Sequence, residues 1–242
     1  MTIKRKICPP GLKNNPNKPI SAINAVTIHT TGNRDLSATA GMHADYQFGG
    51  SGGREASWHY TVDDVEIWQS FEDGQMCWHA GNKAGNEQSI GIEICVNKGA
   101  TGFAIACRNA AWLVAELLTK HNLSVAVVKQ HYNWSGKNCP AELRSGEWGV
   151  DWEGFLKMIN DAIEQIKNAP SEEGAFSAGQ LGHPASKQSL REGSSAEKTP
   201  SDWAKEAWEW AVGNKITDGT EPKGAVTREM AATMIYRARS LK

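Results

Sequence analysis

The sequence predicts an α/β domain over residues 1–167, a flexible linker at 168–200 and a small all-α helix-loop-helix module at 201–242. Two observations lead to this reading. Short strand-like runs alternate with helical patterns through the first region, the arrangement of strands and helices sharing one core of about 150 residues. The composition then shifts: NAPSEEGAFSAGQLGHPASKQSLREGSSAEKTP is rich in Ser, Gly, Ala, Pro and charge. Its few large apolar residues, Phe176, Leu181 and Leu190, are too sparse to build a core.

Along the first region, Ala25–Thr30 (AVTIHT) reads as a strand that closes with a histidine. Leu36–Phe48 reads as a helix with Ser37 as its cap. Ser57–Val62 (SWHYTV) and Val65–Gln69 (VEIWQ) form a strand pair turning at Asp63 and Asp64. Ser89–Val96 (SIGIEICV) alternates residue types and reads as a central strand. Phe103–His121 is a long apolar helix with no internal proline or glycine. Trp152–Ile166 sets Phe155, Ile159, Ala162, Ile163 and Ile166 on one helical face. These patterns leave the strand order open.

In the tail, Trp203, Ala207, Trp210 and Ala211 share one helical face, with Ser201 as cap. Met230, Met234, Ile235, Ala238 and Leu241 share another, with Thr227 as cap, and NKITDGTEPKGA between them is turn chemistry. A unit of this size is too small to be very stable alone.

A net charge of −1 gives no overall attraction to nucleic acid or to an anionic membrane. No apolar run approaches the roughly 18–20 residues that span a bilayer. The opening MTIKRKICPPGLKNNPNKP is basic, then polar and Pro-rich, without the apolar core of a secretory signal. Synthesis in a cytoplasm without an export signal is the expectation. The five cysteines, Cys8, Cys77, Cys95, Cys107 and Cys139, are odd in number and lack framework spacing, so reduced thiols are expected.

Three residue positions suit a metal: His29 at a strand end, and His131 and Cys139 within HYNWSGKNCP. Zinc favours imidazole and thiolate, and a catalytic zinc keeps three protein ligands and one open position. The intervening loop contains Gly136 and ends at Pro140, so it can fold back and aim both side chains at one point. Spacing alone leaves a second reading open, since unrelated His and Cys are common in folded cores.

The wording around these residues goes further. VTIHTTGN (26–33), SWHYTVDD (57–64), WHAGN (78–82), SIGIEICVN (89–97) and HYNWSGKNCP (131–140) occur together and in order. Through them the chain, over about residues 20–165, resembles the zinc N-acetylmuramoyl-L-alanine amidase family that includes phage endolysins and peptidoglycan recognition proteins. The resemblance implies a mixed central sheet flanked by helices, Zn2+ as cofactor and peptidoglycan as substrate, cut between N-acetylmuramic acid and L-alanine. It places His29, His131 and Cys139 on the zinc ligands, Glu93 on the acidic residue facing the attacking water, and Lys137 on a basic position that stabilises the oxyanion. His59 and His79 fall in segments that line the substrate groove in relatives. Some relatives bind peptidoglycan without cutting it, and a non-catalytic recognition protein is the alternative; the presence of Cys139, Glu93 and Lys137 favours catalysis. No HExxH helix of a zinc protease occurs.

The tail segments WAKEAWEWAVGNKITDG and VTREMAATMIYRAR resemble one surface-layer homology repeat. In that family three repeats together bind anionic cell-wall polysaccharide, and Thr227 and Arg228 match a pair near the ligand. A single copy implies wall binding by several chains together, weak binding or no binding at all, with oligomerisation or plain packing as the other role. A wall-cutting enzyme without an export signal fits a phage or prophage endolysin, and the tail type points to Gram-positive walls.

Overall fold

The computed structural model describes residues 2–168 and, in the C-terminal segment, residues 209, 212 and 213. The expected linker beyond Asn168 and the Thr227–Arg228 pair lie outside them. Six strands are present in this region: β1 (Ile3–Arg5), β2 (Ala25–Thr30), β3 (Tyr60–Val62), β4 (Ile67–Gln69), β5 (Ser89–Ile94) and β6 (Val128–Gln130). They form one sheet in the order β1-β4-β3-β5-β2-β6. Pairing is parallel except between β3 and β4, so the sheet is mixed.

The expected strand pair is shorter than its sequence pattern, because Ser57, Trp58 and His59 precede β3. The turn between β3 and β4 is built on Asp63, whose Oδ1 accepts from the N–H groups of Val65 and Glu66, each at 2.8 Å. Strand β1 lies in the stretch that reads as polar and Pro-rich, and β6 has only three residues. Both are held by neighbours instead of by a pattern of their own.

Period-two alternation divides the sheet into two unlike faces. Val26 and Ile28 of β2, Tyr60 and Val62 of β3, Ile67 of β4, and Ile90, Ile92 and Ile94 of β5 belong to one continuous core. Two helices cover that face: α3 (Gly99–Lys120), through Phe103 and Leu113 among others, and α6 (Trp152–Asn168), through Phe155 and Ile159. Full burial of each such side chain contributes about 1.5–3 kcal/mol. The intervening residues, Thr27, His29, Thr61, Ser89, Gly91 and Glu93, point the other way, and none is a large aliphatic.

Helix α1 (Ala40–Phe48) packs over β3 and β4. It starts later than its sequence pattern, and Thr39, not Ser37, is its cap. Ser37 is instead held by Asp35, whose Oδ1 accepts from both its N–H and its hydroxyl. Asp63 Oδ2 accepts the Ala40 N–H at 2.8 Å, which fixes the helix start from across the fold. A short helix α2 (Lys83–Gln88) is capped by Asn82. All five cysteines are free and buried. No described helix is long and apolar enough to cross a membrane.

Candidate metal centre

The site grows from the carboxyl ends of the parallel strands, where open α/β sheets place ligands. His29 of β2 stands directly across from Glu93 of β5 in the strand register. The pairing of β6 with β2 runs on for one more bond, from the His131 N–H to the Ile28 carbonyl at 3.2 Å, which sets His131 beside His29. Their ring centroids are 4.6 Å apart. The following loop turns through α4 (Tyr132–Ser135) and Gly136, whose φ of 75° is left-handed. The Tyr132 N–H then donates to the Cys139 carbonyl at 2.9 Å and closes the loop, so residues eight apart in sequence meet.

Helix α5 (Ala141–Ser145) braces this loop through Arg144. Its Nε donates to Asn138 Oδ1 at 2.8 Å, an Nη donates to Gln130 Oε1 at 2.7 Å, and its guanidinium lies 3.7 Å from the Tyr132 ring centroid. The result is that ligand atoms of His29, His131 and Cys139, all buried, fall within 4.8 Å of one another. Cys139 Sγ is 3.8 Å from His29 Nδ1, and Glu93 Oε1 is 4.0 Å from the same nitrogen.

The electrostatics suit a cation. Burial holds the His29 pKa well below its ordinary value, with the His79, His131 and Lys137 charges acting in the same direction. Burial and then Lys137 lower that of His131 to about 4. Both rings are therefore neutral at pH 7 and keep a free lone pair. Burial first, and then the charge of Glu93, push the Cys139 thiol up to about 12. A thiolate there needs a cation beside it. Burial raises Glu93 to about 8, against the pull of Lys137. Two buried atoms at the site have no partner: His131 Nδ1 and Glu93 Oε2. Unmet buried polar atoms cost about 1–3 kcal/mol each, a cost that a ligated ion beside the nitrogen removes. Two imidazoles and one thiolate, with Glu93 adjacent, could hold a metal ion and leave a position open.

The centre opens into a groove of about 810 Å³ whose lining includes Glu93, Lys137, His79, Trp58, Trp78 and Arg54. Of the two histidines expected to meet substrate, His79 lines this groove and His59 does not. His59 is fully buried, its Nδ1 accepts the Gly91 N–H at 2.9 Å, and its Nε2 faces the Gln75 carbonyl at 2.8 Å. Trp58, Trp78 and Arg54 were not singled out by sequence. The two tryptophans stand inside the segments SWHYTVDD and WHAGN, whereas Arg54 sits in a glycine-rich loop with no pattern to mark it.

Residues 18–142 match the family described as N-acetylmuramoyl-L-alanine amidase. The N-acetylmuramoyl-L-alanine amidase XlyA of Bacillus subtilis (strain 168) is 41% identical over 178 residues, which are 70% of this chain and 59% of that protein. CwlH of the same organism, also named an N-acetylmuramoyl-L-alanine amidase, is 37% identical over 165 residues, 67% of this chain and 62% of that one. The chain thus spans about three fifths of the length of these curated relatives. The solved catalytic domain of XlyA superposes with a TM-score of 0.58 at 40% identity, covering 66% of this chain and 99% of that domain. With that match extending over the strands and the loop that assemble His29, Glu93, His131 and Cys139, the chain belongs to the N-acetylmuramoyl-L-alanine amidase family.

Proposed function

We propose that this chain is a zinc-dependent peptidoglycan hydrolase that cleaves the amide between the lactyl group of N-acetylmuramic acid and the first L-alanine of the stem peptide. The observation that carries the reading is the meeting of His29, His131 and Cys139 beside an unpartnered Glu93 oxygen in an open groove. Family membership supplies the bond. When bound, zinc lowers the pKa of water toward about 7 and polarises a carbonyl, which an unreactive amide requires.

The chain's own residues do the rest. His29, His131 and Cys139 would hold the ion through two nitrogens and a sulfur. Burial raises the Glu93 pKa to about 8 in the metal-free site; a cation held beside it would favour the carboxylate, the form in which Glu93 can accept a proton from the attacking water. Lys137 lines the groove and offers positive charge to the oxyanion of the tetrahedral intermediate. The presence of Cys139 and Glu93 favours hydrolysis over simple recognition, which would need neither.

The C-terminal module, with Thr227 and Arg228, would hold the enzyme on anionic wall polysaccharide or join copies of the chain. Release to the wall as a phage or prophage endolysin accords with this organisation. Mass spectrometry of digested wall tests the bond: muramic acid with a free lactyl carboxylate, paired with new N-terminal alanine, is expected. Products that keep the lactyl–alanine linkage overturn the proposal. Dialysis against a chelator should abolish hydrolysis and added zinc should restore it.

A further inference from the structure

We propose that His79 is a positioning residue that fixes the tautomer of His29 and so presents His29 Nδ1 to the metal. The inference rests on the metal reading above. It comes from a run of two hydrogen bonds whose direction is forced from one end. His79 Nε2 lies 3.2 Å from the Ser89 carbonyl, and a carbonyl only accepts. The proton of a neutral His79 ring is therefore on Nε2, which leaves Nδ1 bare. That bare nitrogen is 3.0 Å from His29 Nε2, so His29 must donate there. A neutral His29 then carries its lone pair on Nδ1, the atom that faces Cys139 Sγ at 3.8 Å and Glu93 Oε1 at 4.0 Å.

The fold fixes the main chain that carries His79 and shapes the space around its ring. Asn86 Oδ1 accepts from the backbone N–H groups of His79 and Ala80, at 3.1 and 2.8 Å. Gly91 of β5 clears that space: a Cβ there would stand 2.7 Å from His79 Cγ and 2.8 Å from Nδ1. Metal-bound histidines commonly give their second N–H to a carboxylate, a backbone carbonyl or water. Here a neutral imidazole is interposed and a carbonyl ends the run. His29 is oriented with no added negative charge, and the ion keeps its full pull on a carbonyl.

The test uses the full chain and a readout other than hydrolysis. In the metal-free protein, long-range nitrogen NMR should find the proton of both His29 and His79 on Nε2. Zinc affinity, by competition with a chelator, should fall about ten- to a hundredfold in His79→Leu. His79→Asn, whose Oδ1 can take the place of Nδ1 as acceptor, should restore most of it. A role in packing alone would reverse that order, since Leu fills the space better than Asn. An Nδ1–H tautomer of His29 in the metal-free parent, or a Leu variant that binds zinc as the parent does, overturns the positioning role alone. A parent that takes up no zinc sinks the metal reading as well.

Discussion

In the proposed mechanism Glu93 and Lys137 divide one task, and Lys137 also pulls the Glu93 pKa down, so its removal reaches both. Glu93→Gln keeps the shape of the side chain in β5 and removes its basicity. The expected result is a zinc content equal to the parent's and a fall in wall hydrolysis of about 100- to 10,000-fold. Lys137→Met should cost about 100- to 1000-fold in turnover, because it withdraws a preorganised charge from the oxyanion. Turbidity clearance and metal analysis on the same preparations check both. The buried histidines add a pH prediction for the metal-free protein. Burial lowers His59 to about 4, so between that value and an unfolded pKa near 6.5 the unfolded chain binds more protons. Stability is full above about pH 6.5 and drains as pH falls toward 4, by about 1–2 kcal/mol per such histidine at pH 5. Urea midpoints that stay flat from pH 7.5 to 5.5 would rule it out. At this scale the meeting of His29, His131 and Cys139 was legible because five ordered segments framed it. The difference between His59 and His79 was not, since it depends on which carbonyl each ring meets across the sheet.

Elements here succeed or fail on which face a residue takes. Alternation in SIGIEI marks β5 as a strand, but only its pairing with β2 and β3 shows that Gly91 and Glu93 share the polar side. Gly91→Ala tests that side directly. The added methyl meets a ring bonded to the Ser89 carbonyl and carried on a main chain that Asn86 holds, and overpacking of this kind costs about 1–3 kcal/mol. A lowered thermal midpoint is expected, and an unchanged one would mean that the ring moves freely. Asp63 makes the complementary case. The sequence marks it as a turn residue, and it is one, yet it also anchors the start of α1 and its carbonyl accepts from Asn109 Nδ2 at 2.9 Å. Asp63→Ala would strip the acceptor from three N–H groups at once. A loss of about 2–4 kcal/mol in urea unfolding is expected. Long-range caps of this sort carry no local signature, which is why the α1 start was misplaced by sequence. The edge strands β1 and β6 escaped for the same reason: three residues contain too little alternation to be read.

For the whole molecule, the decisive question is where the folded domain ends and what the remainder adds. Phe155, Ile159 and Ala162 of α6 are buried, and the helix packs chiefly on α3, so any truncation before it uncovers α3 and the core that the two helices share. Losing such burial, at about 1.5–3 kcal/mol for each large side chain, consumes most of a typical domain stability of about 5–15 kcal/mol. A chain ending at Val150 should therefore fail to fold. One ending at Asn168 keeps the sheet, both covering helices and every residue of the metal centre, and should melt within a few degrees of the parent. The composition shift at Asn168 is what leads the sequence to place a boundary there, because a segment poor in large apolar residues has nothing with which to extend a core. The role of the tail then separates by substrate. On a soluble muropeptide, where no wall is present to hold, residues 1–168 should turn over at the parent's rate. In the proposed targeting role, the full chain would gain a second, linked contact on intact walls that raises its effective concentration, and its loss should slow clearance by about tenfold or more. Equal rates on intact walls would remove the targeting role, and slower turnover of the soluble substrate would show that the tail supports the catalytic fold instead.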